Sequence, residues 1–202
     1  MTILALSVVL PVIAGVTRVS LTPAPIRLLT LLCAVWLTSD VVNHILREQN
    51  LHNAQVSYIL TGAEIFIVSH LYRSLLSNRM LHKQLPIVAW LGLPLGIIEW
   101  YLVGGEINTV SLVIEFVLFM TLAMVLFYES TMRPVSPLYR TLNYVLVFYF
   151  ASSLPYNFAW EWLKDLDFSL LLAMNYAHGI IHAACYILFT WMIWRSSLSY
   201  SV

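Results

Sequence analysis

FSLLLAMNYAHGIIHAACYILFTWMIW, the stretch from Phe168 to Trp194, runs for 27 residues without an aspartate, glutamate, lysine or arginine. A helix rises about 1.5 Å per residue and the hydrocarbon core of a bilayer is about 30 Å thick, so this stretch is long enough to cross a membrane with overhang. Working outward from it, further apolar stretches run over about Thr2–Val16, Ile26–Leu46, Asn53–Leu76, Leu85–Val103, Ile107–Tyr128 and Leu138–Trp160. Of the 202 residues, 60% are hydrophobic and 10% charged, and the mean hydropathy is +0.83. The seven stretches leave almost nothing for a domain outside the membrane. The expected fold is therefore all-α: a polytopic, multi-pass integral membrane protein in which residues 1–202 form one seven-transmembrane-helix bundle.

Charge placement predicts its orientation. No basic residue precedes the first apolar run, and Arg18 follows it, which reads as a first transmembrane helix inserted with the N-terminus out. Seven spans put alternate loops on one side. One set, with the C-terminal tail, holds Arg18, Arg27, Arg73, Arg79, Lys83, Arg133, Arg140 and Arg195, eight of the ten basic residues; the other holds Arg47 and Lys164, with Glu48, Glu106, Glu161, Asp165 and Asp167. The C-terminus is expected inside, in a plasma membrane or bacterial inner membrane. The net charge of zero gives no field for nucleic acid, and Cys33 and Cys185, both in apolar stretches, read as small buried hydrophobes.

Within the Phe168–Trp194 stretch, His178 and His182 are four residues apart and share one helix face. Ionisable residues at membrane depth are costly and need partners. The orientation brings several others to the same outer half: Ser39, Asp40, Asn43 and His44 in the second stretch, Glu64 in the third, Glu99 in the fourth, Glu115 in the fifth, Asn157 in the sixth, and Asn175 beside the histidines. Polar groups on six helices at one level imply a water-accessible cavity that opens outward.

Asp40 and His44 are a second i, i+4 pair, so two helices each present two groups suited to zinc. A catalytic zinc site keeps three protein ligands and an open position for water, whose pKa falls to about 7 when bound, and Asp40 or Glu64 could serve there as general base. Seven spans with the N-terminus out, a histidine at the end of the second and H-x-x-x-H in the last resemble the superfamily of membrane hydrolases that includes alkaline ceramidases, the progestin and adipoQ receptors and hemolysin III-type proteins. The residues carrying this resemblance are His44, His178 and His182. The serine of that pattern, four residues before the first histidine, is replaced by Asp40, with Ser39 one position away, and its downstream aspartate is absent: Asn53 or Gln55 stands there. The resemblance implies a metal-dependent hydrolase acting on a lipid amide or ester, with zinc as cofactor and membrane lipid as partner.

The same residues admit other readings. His178 and His182 can join helices by hydrogen bonds to Asp40, Asn175 or Glu64. Glu64, Glu99 and Glu115 can be neutral and hydrogen-bonded, or form a proton or cation path. These alternatives describe a non-enzymatic ligand-sensing or transport bundle that binds a small polar solute or a lipid headgroup. Haem between His44 and His178 would require the two at equal depth. A retinal Schiff base is excluded, because Lys83 and Lys164 both lie in loops. Trp160, Trp162, Trp191 and Trp194 read as interfacial anchors, and Pro94 between Gly92 and Gly96 reads as a kink.

Overall fold

The structure, a computed structural model, describes residues 7–49, 54–103, 109–163 and 168–198; the side chains of residues 54, 103, 109, 154, 155, 157–163 and 168 lie outside that description. Among the described residues there is no strand. The helices are α1 (Val9–Thr17), a 3₁₀ turn (Val19–Leu21), α2 (Ala24–Glu48), α3 (Ala54–Leu75), α4 (Arg79–Gly92), α5 (Leu95–Val103), α6 (Thr109–Met132), α7 (Pro137–Leu163) and α8 (Phe168–Leu198). Four stretches are long and apolar enough to cross a membrane: Ala24–Glu48, Arg79–Leu102, Val110–Met132 and Ser169–Leu198.

The fourth apolar stretch departs from expectation in two ways. It starts at Arg79 rather than near Leu85, because the Asn78 side chain accepts hydrogen bonds from Met80 N (2.9 Å) and Leu81 N (3.3 Å) and so caps the helix. It is also divided into α4 and α5 at Leu93-Pro94, where the proline has no N–H to continue the ladder. Glycine lets this break dock on α3. A Cβ on Gly62 would lie 2.5 Å from the Leu93 carbonyl oxygen, and one on Gly96 would run into the Tyr58 carbonyl. Small residues here let the two backbones touch.

α3 packs against α2, α4, α5 and α6; α6 packs on α7, α7 on α8, and α8 on α1 and α2, which closes a ring. Arg18 seals the junction of α1 with α8: its guanidinium lies 3.5 Å over the Trp194 ring and donates to Ser197 Oγ at 2.6 Å. At the same end of the bundle, Glu129 near the end of α6 accepts from the backbone N–H groups of Ser77 and Asn78 and pairs with Arg133 at 2.7 Å. The apolar core lies toward this basic end, where Leu29, Leu32, Leu71, Leu126, Leu142 and Phe189 are fully buried. Tyr72 of α3 is tied there to Asn143 of α7 (2.7 Å), which donates on to the Ala123 carbonyl of α6 (3.2 Å). Toward the other end, α2 from Asp40 and α8 before His178 become largely exposed. The packing is thus tight at the end with the basic loops and loose at the opposite end.

Candidate functional site

α8 presents His178 and His182 one turn apart with ring centroids 3.9 Å from each other. α7 meets them with Tyr149, Ser153 and Tyr156, whose i, i+4, i+7 spacing also keeps one face. Tyr156 stacks on His178 (4.0 Å, 3° between planes), Tyr149 stacks on His182 (4.1 Å, 28°), and Ser153 Oγ lies 3.0 Å from His182 Nε2. The Tyr156 hydroxyl donates to Asn175 Oδ1 at 3.1 Å. One turn further along α8, the Tyr186 hydroxyl is 3.3 Å from that of Tyr149. Two helices with polar and aromatic groups in matching registers thus form one continuous seam.

The seam continues into the core through α2. Trp36 stacks on Tyr149 with centroids 4.2 Å apart, and its indole N–H donates to Glu64 Oε1 on α3. Glu64 in turn faces Glu115 on α6. A run of contacts therefore connects Asn175, Tyr156, His178, His182, Tyr149, Trp36, Glu64 and Glu115, from the loose end of the bundle into its middle. Trp36 and Tyr149 are buried, whereas His178 and His182 are half-buried. His178 is hydrogen-bonded to the backbone of Ser152, yet its Nδ1 is buried with no hydrogen-bond partner among the described residues. A buried nitrogen in that state costs about 1–3 kcal/mol, which a polar ligand or an ordered water would recover.

Of the residues singled out from sequence, His178, His182, Asn175, Glu64 and Glu115 come together along this seam. Asp40 lies one turn beyond Trp36 on the same side of α2 and is exposed; it is within electrostatic reach of the Tyr149 and Tyr186 hydroxyls. Arg47 bears in the same way on Asp40 and Tyr156. These groups lie toward the loose end of the bundle, on α2 and the α7–α8 pair. His44 does not join the histidine pair: its side chain is 64% exposed and lies 3.6 Å from Glu48 on its own helix. Among the described residues no group of three His, Cys, Asp or Glu side chains is close enough to hold a metal ion. Ser39 is buried and accepts from Asn43 at 3.4 Å. The Asn157 side chain lies outside the described residues.

Glu99 has a different task. Its carboxylate accepts from Val110 N and Ser111 N, both at 2.8 Å, and from the Ser111 hydroxyl, so it caps the first turn of α6. Sequence reasoning passed over Trp36, Tyr149, Ser153 and Tyr156. Their signal was present as matched helical spacing, but aromatic residues at that spacing are what any core contains. A hollow of about 360 Å³ at the tight end, lined by Pro23, Ser136, Tyr139, Trp191, Arg195 and Ser196 among others, shares no residue with the seam. No family model, curated protein or solved structure matches the chain.

Proposed function

We propose that the protein is a seven-span membrane bundle, N-terminus out and C-terminus in, that senses or transports a small polar solute or lipid headgroup bound in a crevice between α2, α7 and α8. The observation that carries this reading is the seam, which joins an open, polar mouth to a buried carboxyl pair without a break. Four helices long and apolar enough to span a bilayer, and eight of ten basic residues on one set of loops, support the topology. At the mouth, Asp40 and Arg47 offer opposite charges, Tyr156 and His178 a stacked polar surface, and His178 Nδ1 an unmet hydrogen bond. Opposite charges beside a polar ring pair favour a zwitterion: a free amino acid or a zwitterionic headgroup.

Thermal unfolding of the protein in lipid nanodiscs, scanned against amino acids, glycerophosphocholine and glycerophosphoethanolamine, tests the reading. The expected result is a saturable rise in midpoint with at least one probe, lost in Asp40→Asn and in His178→Phe. Equal responses in wild type and both variants would overturn it. The metal-dependent lipid hydrolase is the second reading, favoured by the adjacent imidazoles and the hydrogen bond of Ser153 to His182. His178 and His182 supply two ligands, and the three-ligand catalytic zinc site needs another. Stoichiometric zinc in purified protein, lost on substituting both histidines by alanine and accompanied by turnover of a lipid amide or ester, is what that reading requires.

A further inference from the structure

Glu115 and Glu64 are 3% and 8% exposed, and they face each other across the packed surface of α3 and α6. Glu64 Oε1 accepts the Trp36 indole N–H. Glu115 Oε1 is buried and meets no N–H or O–H donor among the described residues; what its carboxyl group faces is Glu64. No cation offsets the pair, since the ion pairs found among the described residues are His44–Glu48 and Arg133–Glu129. The titratable groups that bear on Glu64 from the neighbouring helices are Tyr149 on α7 and Tyr186 on α8. Glu99 on α5 is committed to the start of α6. None of these brings positive charge.

An ionised carboxylate can only accept hydrogen bonds, so two of them in contact have no bond to make and repel strongly at low dielectric. One proton between the two removes a charge and supplies the donor that Glu115 Oε1 lacks. We infer that Glu64 and Glu115 form a proton-binding site: an acid–carboxylate pair that shares one exchangeable proton and joins α3 to α6 through it. Without that proton the pair keeps a single donor, the Trp36 N–H, and the repulsion acts to separate α3 from α6. Proton occupancy therefore sets how these helices pack, and Trp36 transmits the change to Tyr149 and the histidine seam. The site stands whether or not the crevice binds a zwitterion, because its evidence lies wholly inside the bundle. Glu99 is the internal contrast, since its carboxyl group meets three donors.

Infrared spectra of the full-length protein in lipid membranes, recorded in H₂O and D₂O, test the site. At neutral pH the wild type is expected to show a carbonyl band of protonated carboxyl that shifts in D₂O. The band should move on carbon-13 labelling of glutamate, which assigns it without any variant. It should be lost in Glu64→Gln and in Glu115→Gln, where a neutral amide N–H takes the place of the shared proton, be absent from the double variant, persist in Glu99→Gln, and be lost in one step at alkaline pH. Gln preserves size and hydrogen bonding, which protects the fold. A wild type with no such band, a band insensitive to glutamate labelling, or two separately titrating bands would each overturn the shared proton.

Discussion

Glu99→Ala should destabilise the bundle without touching the crevice. The substitution removes the acceptor for Val110 N, Ser111 N and the Ser111 hydroxyl. Ser111 is fully buried whereas Val110 is 56% exposed, so water can replace the carboxylate at Val110 but not at Ser111. An unsatisfied buried donor costs about 1–3 kcal/mol, and an anion at a helix N-terminus contributes about 0.3–1 kcal/mol more. Together these give a loss of roughly 1–4 kcal/mol. At about 2–4 °C per kcal/mol for a chain of this length, that is a fall in Tm of roughly 2–16 °C. The assay is thermal unfolding in nanodiscs, followed by intrinsic fluorescence, with Glu99→Gln expected near the midpoint of the two because it retains one acceptor oxygen. An alanine variant within about 0.5 kcal/mol of wild type would refute the capping role, since that is the scale of a neutral surface change. If such a variant also lost a ligand response, Glu99 would belong to the crevice after all.

Tyr72→Phe deletes the 2.7 Å hydrogen bond to Asn143 and leaves the amide oxygen buried, a loss of about 1–3 kcal/mol in chemical unfolding; adding Asn143→Leu should recover part of it, because the orphaned acceptor goes too. Gly96→Ala places a methyl group against the Tyr58 carbonyl, where overpacking costs about 1–3 kcal/mol. It should lower the unfolding midpoint and the yield of monodisperse protein, and an unchanged midpoint would mean that the α3–α5 approach is looser than the structure has it.

Sequence alone determined the all-helical class, most helix boundaries to within a few residues and the presence of costly polar groups inside apolar stretches. Those features are local: a run of apolar residues, a proline without an N–H and the i, i+4 spacing of His178 and His182 each carry their consequence along a single helix. Asn78 as the start of α4 was legible in principle, being a capping residue before a helix, but its neighbours Arg79, His82 and Lys83 resemble a loop.

Only the tertiary structure decided which way each polar group turns once at that depth. Spacing fixes angles within a helix but not between helices, so Asp40 and His44 looked equivalent as partners for the histidines. The ring closure of α8 on α1 and α2 leaves His44 beside Glu48, keeps Asp40 at the mouth, and fills the space behind it with Trp36 and Tyr149. Among the three buried glutamates, sequence singled out Glu64 as a candidate base but did not separate the surroundings of Glu99 from those of Glu115. Glu99 met the free N–H groups of a neighbouring helix, while Glu64 and Glu115 met each other. What separates an anion with three donors from a pair one donor short is the neighbour each helix brings, and that depends on contacts between segments far apart in the chain.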